Sequence, residues 1–314
     1  MRTVYLGTSD FAAVVLDRLA ESDHRPQLVV SRPDRRRGRG RKLSPPPVVE
    51  RARELGLDVF QPERLNDSDA RERIAAAEPE AACVCAYGAI IGDELLAAHR
   101  WLNVHPSLLP RWRGAAPIER AIEAGDERTG VAIMRPVAEL DAGPVHLMRP
   151  EPIRPDDDYG TLAPRLADLG GRLLVEALDT LPEPSPQPDE GVTYAAKIER
   201  YERHLDAGLP VEAMERRLRA LTPHVGAYVE VADGERLGVR RAAVLGERAG
   251  AGADGSGKGE DRLPPPGALA ARDGSLLYGA PDGALELLEV QPAGGRPMDP
   301  AAWLRGHPDA VAGA

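Results

Sequence analysis

Short apolar runs alternate with helical periodicity over the first 181 residues of this chain, and few folds accept that order. Residues 3–6 read as a strand, followed by the turn Gly7-Thr8-Ser9-Asp10. Phe11, Val14, Val15, Leu16 and Leu19 then mark one face of a helix, with Ser9 or Asp10 as its N-cap. Further strands are predicted at 28–31, 59–60, 81–86, 101–105 and 130–135, with 145–148 pairing the last as a hairpin. Helices are predicted at 48–55, 69–77, 93–98, 118–124 and 161–181. Strands and helices joined by short connections predict an α/β doubly wound sheet, which binds ligands at the C-terminal ends of its strands.

The pattern breaks at 182–188, PEPSPQP, which is a linker by composition. Beyond it, 211–221 reads as a helix with Met214, Leu218 and Leu221 on its apolar face. Short strand candidates follow at 227–231, 237–245, 268–271, 276–278 and 285–290, a spacing that predicts a small β-barrel. The Gly- and charge-rich stretch 246–262 is expected to be a surface loop. The resulting division is 1–181 for the α/β domain, 182–203 for the linker and 204–306 for the barrel.

Two polar side chains stand out at a strand end. Asn103 and His105 in WLNVHPSLLPRWRG are two residues apart, which puts them on the same face of a strand. Pro106 and Pro110 stiffen the loop that follows. Asp141, in the turn LDAG after the 130–135 strand, can approach that strand end in a doubly wound sheet. An aspartate beside a histidine fixes its tautomer and supports its charged form. An asparagine can donate to a developing oxyanion. No Ser or Cys nucleophile with an elbow motif accompanies them, so the set suits attack on a bound acyl carbon by a substrate's own nucleophile. The first turn, GTSDFA, lacks the GxGxxG pattern of a dinucleotide fold.

Charge narrows the class further. The formal net charge of −10 argues against a general nucleic-acid coat. Yet 32–42, RPDRRRGRGRK, carries seven cations and one acid, a local +6. A basic loop in an acidic chain predicts an anionic partner such as phosphate. Cys83 and Cys85 are too close for a disulfide and read as core thiols of a reducing compartment. No apolar stretch approaches a membrane span, and the first residues enter a strand pattern with no signal peptide. These features predict a cytoplasmic protein with no membrane association.

The combination of Asn103, His105, SLLP at 107–110, Arg113-Gly114 and LDAG at 140–143 resembles the folate-dependent formyltransferase family. RWRGAAPIERAIEAGDERTGVAIM, the basic loop with PDRRRGRGRKLSPPPV, AYGAII and VQPAGGRPMDPAAWLRG resemble its tRNA-acting branch. The resemblance implies a Rossmann-like domain followed by an OB-like barrel. It implies 10-formyltetrahydrofolate as donor and initiator methionyl-tRNA as acceptor, in a monomeric enzyme without a metal. Asn103 and His105 would then stabilise the tetrahedral oxyanion, His105 would pass a proton to the departing folate nitrogen, and Asp141 would hold His105 and a water that moves the amine proton. Ser107, Leu108, Leu109 and Pro110, with Ala86, Tyr87 and Gly88, would shape the folate pocket. Arg39 would approach the tRNA acceptor stem, assisted by Arg41 and Lys42, and Arg216, Arg217, Arg219, Arg240 and Arg241 are the barrel's RNA-facing candidates. A formyltransferase for a small amine is the nearest alternative, and a non-catalytic RNA-binding protein is the alternative from another class. A nicotinamide-dependent dehydrogenase ranks third.

Overall fold

The computed structural model describes residues 1–37, 42–231, 234–246, 263–272, 274–307 and 311. Its elements begin with β1 (Thr3–Gly7), α1 (Asp10–Ala20), β2 (Pro26–Val30), β3 (Arg35–Arg37), β4 (Lys42–Ser44), α2 (Pro47–Glu54), β5 (Val59–Phe60) and α3 (Ser68–Ala75). They continue with β6 (Ala81–Cys85), α4 (Asp93–Ala98), β7 (Trp101–His105), β8 (Arg113–Gly114), α5 (Pro117–Ala124), β9 (Arg128–Met134), β10 (Val145–Pro152), α6 (Tyr159–Thr180) and β11 (Tyr194–Ala195). Contacts divide the chain into two compact units. The first comprises Met1–Ile118, Glu127–Ile153 and Thr161–Ala196, and the second Glu119–Asp126, Arg154–Gly160 and Lys197–Ala314.

In the first unit one sheet runs in the order β10-β9-β7-β6-β1-β2-β5. The five strands from β5 to β7 are parallel, while β9 opposes β7 and β10 opposes β9. β1 and β6 are buried along their whole length, as the unbroken apolar runs TVYLG and AACVC require of central parallel strands covered on both faces. Ser9 caps α1 by accepting from the Ala12 N–H, as its place before the periodic run predicts. This is the expected doubly wound α/β domain, with an antiparallel extension at one edge. β10 runs to Pro152, four residues past the apolar pattern that marked it, because an edge strand tolerates Pro150 and Pro152.

Two segments depart from expectation. The basic stretch at 32–42 contains β3 and the first residue of β4, and the two strands pair as an antiparallel hairpin with Arg35 opposite Ser44 and Arg37 opposite Lys42. Its run of cations masked the strand. Residues 182–196, expected as linker, run back along the first unit: Ser185 exchanges two backbone hydrogen bonds with Val145, and β11 pairs with β8.

The second unit holds α7 (Val211–Leu221), β12 (Ala227–Glu230), β13 (Arg236–Gly246), β14 (Leu269–Arg272), β15 (Ser275–Ala280), β16 (Gly283–Gln291) and α8 (Pro300–Gly306). Its five strands form one antiparallel ladder, β12-β13-β16-β15-β14. β13 carries register shifts at 239–242, where a long strand bends. Met214, Leu218 and Leu221 of α7 pack with Val239, Leu276, Leu285 and Trp303 in its core, the face that their i, i+4, i+7 spacing marked. Residues 247–262 lie outside the described residues. Among the described residues, no helix is long and apolar enough to cross a membrane.

Candidate active site

Strand β7 presents alternate faces to two environments. Val104 turns toward α6, where Gly170 admits it: a Cβ on that glycine would lie 2.8 Å from Val104 Cγ1. Asn103 and His105 therefore share the opposite face. Asn103 is half-buried, and among the described residues no hydrogen bond holds its carboxamide. His105 is 4% exposed.

The His105 ring has two defined neighbours. Nε2 lies 2.9 Å from the Trp112 carbonyl oxygen, and because a carbonyl only accepts, Nε2 carries the hydrogen of that bond. Nδ1 lies 3.6 Å from Asp141 Oδ2. Asp141 is in turn fixed by its own contacts: Oδ2 accepts from the Gly114 N–H at 2.9 Å. The turn meets the strand end, the approach that the place of LDAG after the 130–135 strand suggested.

What holds Asp141 in place comes from a segment that looked like a spacer. Gln187 donates from Nε2 to the carbonyls of Asp141 and Gly143, both at 2.7 Å. Its Oε1 accepts from Arg113 Nε at 3.0 Å. Arg113 is buried and also pairs with Glu139 at 3.5 Å, so it braces the loop. Thr193 adds a second clamp, accepting from the Trp112 N–H at 2.9 Å through its hydroxyl and from the Arg113 N–H at 2.9 Å through its carbonyl. At Gly114, φ is +126°, and a Cβ would lie 2.6 Å from the Ala195 carbonyl, so only glycine fits. Gln187 carries no spacing signal: it is one amide in a Pro- and Glu-rich run, and its role depends on contacts distant in sequence.

Backbone strain concentrates here. Ala86, Trp112 and Asp141 take φ of 44°, 64° and 47°, a region that non-glycine residues enter only when neighbours hold them there. Ala86 follows β6 directly, and the Thr8 hydroxyl donates to the Tyr87 carbonyl at 2.8 Å, tying the ends of β1 and β6 together.

The residues expected around folate divide into two groups. Ala86 and Gly88 are exposed beside the end of β6. Tyr87 instead turns its ring into the core with Leu6, Val30 and Trp101. Ser107 is fully buried, its hydroxyl donating to the Arg111 carbonyl at 2.6 Å. Leu109 packs with Ala132 and Met134, and Leu108 lies against Gly130 of β9. Pro110 stays half-buried at the turn and accepts from the Thr193 N–H through its carbonyl. The side chains of Tyr87, Ser107 and Leu109 thus shape the loops from behind, because apolar packing and a buried hydroxyl's need for an acceptor override a surface position.

Of the expected RNA contacts, Lys42 is exposed on β4, while Arg39 and Arg41 lie outside the described residues. The barrel candidates Arg217 and Arg219 are neutralised by Glu123 at 2.7 Å and Glu215 at 2.6 Å, and Arg216 donates to the Glu123 carbonyl at 3.2 Å. A basic helix face in the sequence is an ion-pair lattice in the fold.

The formyl transferase family model matches residues 1–178, and the model of the formyl transferase C-terminal domain matches 197–308. The chain is 45% identical to the methionyl-tRNA formyltransferase of Halorhodospira halophila, over 98% of this chain and 96% of that one. It is 43% identical to the methionyl-tRNA formyltransferase of Ruegeria pomeroyi, over 98% of each. Among solved structures, HypX from Aquifex aeolicus in complex with tetrahydrofolic acid matches with a TM-score of 0.63 and 19% identity, covering 99% of this chain and 48% of that one. A methionyl-tRNA formyltransferase from Clostridium thermocellum matches with a TM-score of 0.55 and 15% identity, covering 77% and 93%. At these identities the structures speak to the fold alone.

Proposed function

The chain belongs to the formyl transferase family, and on that premise we propose that it moves the formyl group of 10-formyltetrahydrofolate to the amino group of methionyl-initiator-tRNA. The product is N-formylmethionyl-tRNA, used to begin translation. The convergence of Asn103, His105 and Asp141 on one strand end carries the catalytic reading, with Nδ1 and Oδ2 at 3.6 Å.

The donor set fits a folate carrying a formyl group. An unengaged carboxamide suits a carbonyl oxygen, and the exposed, left-handed backbone at Ala86 and Gly88 leaves room for a flat ring near the end of β6. Bound there, the folate supplies an activated formyl carbon and a nitrogen leaving group. Asn103 Nδ2 donates to the formyl oxygen and strengthens that bond as charge builds on the oxygen. The acceptor amine forms the new C–N bond and gives up one proton. With Nε2 committed to the Trp112 carbonyl, His105 has Nδ1 free to take that proton, facing the Asp141 carboxylate. His105 Nδ1 then returns it to the departing nitrogen as the old C–N bond breaks, so no proton is gained or lost overall. Asp141, fixed by the Gly114 N–H, orients the ring through the cycle. Lys42 and the hairpin that bears it, with Arg39 and Arg41, attract the acceptor stem by charge.

A formylation assay with initiator and elongator methionyl-tRNA side by side tests this reading. Formylation of the initiator is expected to exceed that of the elongator by at least about tenfold, one step of roughly 1.4 kcal/mol. A preference for a small amine over either tRNA would overturn the acceptor assignment.

A further inference from the structure

Strands β2 and β5 leave the sheet of the first unit side by side. They pair through Val29 with Val59 and Val30 with Phe60, and the Ser31 N–H adds a bond to the Phe60 carbonyl at 3.0 Å. Beyond that point Pro33 and Pro62 lack the N–H groups that a backbone ladder needs. A side chain takes over. Gln61 donates from Nε2 to the Arg32 carbonyl at 2.9 Å and to Asp34 Oδ1 at 2.8 Å. Both partners only accept, so both hydrogens of the amide are used. Arg32 and Asp34 form the root of the hairpin that opens at β3, and Asp34 is the one acid in 32–42.

The same short segment, QPERLN at 61–66, reaches a second loop with its other end. Asn66 donates from Nδ2 to the Ile90 carbonyl at 3.2 Å, and its Oδ1 accepts from the Gly92 N–H at 2.8 Å. A Cβ at position 92 would lie 2.9 Å from that oxygen and displace the carboxamide. Between the two amides, Leu65 is buried in the core that holds the Tyr87 ring, with Ala89 and Ile91 packed against it. The loop after β6 is thus fixed at its start by Thr8, which holds the Tyr87 carbonyl, and at its end by Asn66. The Ile90 side chain, 85% exposed, stands out from this held backbone. Neither amide belongs to the strand end of Asn103 and His105, so each acts through the loop that it holds. The place of Asp34 follows from the same bonds. A negative charge weakens the attraction of a polyanion, whereas the hydrogen bond that Asp34 accepts ties down the hairpin root.

We infer that residues 61–66 are a clip that sets two substrate-binding loops at once. Gln61, through Asp34, positions the basic hairpin for the RNA acceptor, and Asn66 positions the end of the 86–92 loop for the folate. The identity of the two ligands rests on the function proposed above, and the clip itself rests on the four hydrogen bonds.

The test compares the wild-type chain with D34A, D34N, Q61A and N66A. If Asp34 acts by charge alone, removing it tightens tRNA binding in both variants. The clip requires the two to part. D34A loses the acceptor and is expected to raise the KM for initiator methionyl-tRNA by about fivefold, while D34N keeps the acceptor, loses the charge and stays at or below the wild-type KM. Q61A is expected to follow D34A, with the 10-formyltetrahydrofolate KM moving by less than about twofold. N66A should show the reverse split, a folate KM raised by about fivefold and a tRNA KM nearly unmoved. A fold damaged as a whole would instead shift both KM values and kcat together. Tighter tRNA binding by D34A and D34N alike overturns the clip, as does an unmoved folate KM in N66A. Amide hydrogen exchange in the absence of ligands gives a second readout. Exchange is expected to quicken at 35–37 in Q61A and at Gly92 in N66A, each without the other, and unchanged exchange in both is equally fatal. Formylation by the wild-type chain is recorded first. Its absence would sink the formyl transfer reading and leave the clip to be judged by exchange alone.

Discussion

The Asp141 turn and the β3–β4 hairpin are both loop structures, yet they are held in opposite ways. At the turn, a strained backbone is fixed from several directions by Gln187, Arg113 and the Gly114 N–H, groups far apart in the chain. In the hairpin, strands of three residues pair with each other, and Lys42 and Leu43 stand exposed. Chemistry on a bound acyl carbon depends on atoms held within about half an ångström, so it needs bracing. Attraction of a polyanion depends on charge within about a Debye length, so a loosely held segment suffices. The turn is therefore expected to lose rate when disturbed, and the hairpin to lose affinity.

The strongest way to break this contrast is at the proposed catalytic groups. N103A, H105A and D141A are each expected to lower kcat by at least about 10²-fold, with the melting temperature little changed for Asn103 and Asp141. Near-normal turnover in all three would remove the site. A D141N chain keeps shape but not charge. It should fall nearly as far as D141A if the carboxylate supports a charged ring, and stay close to wild type if only packing matters.

Gln187 sharpens the contrast, because it can act only through position. Q187A strips a donor from two carbonyls and an acceptor from a buried arginine, a destabilisation of about 1–3 kcal/mol. The drop in kcat is expected to be about 10- to 100-fold, with the folate KM changing much less. Q187E keeps the acceptor for Arg113 and loses both donors. Equal damage in Q187A and Q187E assigns the effect to the held carbonyls, and rescue by Q187E assigns it to Arg113. At the hairpin, R39Q/R41Q/K42Q should raise the tRNA KM by about tenfold, flatten its salt dependence and leave kcat near wild type. A fall in kcat at saturating tRNA would erase the distinction between the two regions.

The two regions also differed in how far the sequence disclosed them. Asn103 and His105 were readable because a strand's period of two is a local rule, and Asp141 because LDAG is a local turn. β1, β6 and the apolar face of α7 were readable for the same reason. Gln187 was not, since its partners lie 46 and 74 residues away. Tyr87, Ser107 and Leu109 were read as parts of loops that shape a folate pocket, and the burial of their side chains was not legible, because a loop's side chains answer to neighbours that only the fold supplies. Arg217 and Arg219 looked like a basic face until Glu123 and Glu215 were found beside them.

Strand β6 offers a third regime, in which apolar burial alone fixes side chains, and it should respond least to any of these changes. Cys83 and Cys85 are fully buried, and burial pushes both thiols from 9.0 up to about 12. In the folded chain they stay protonated and unreactive at pH 8, so a thiol reagent should label them only after unfolding. The sign of the linkage follows from the same shift. The unfolded chain loses these protons near pH 9 while the folded chain retains them, so stability is undiminished below about pH 9 and is lost as pH rises toward 12. C83A/C85A should flatten that alkaline decline and leave formyl transfer at neutral pH nearly unchanged. Rapid labelling of the native chain at pH 8 would mean that the end of β6 opens readily. The braced turn would then rest on a less rigid sheet than its hydrogen bonds imply.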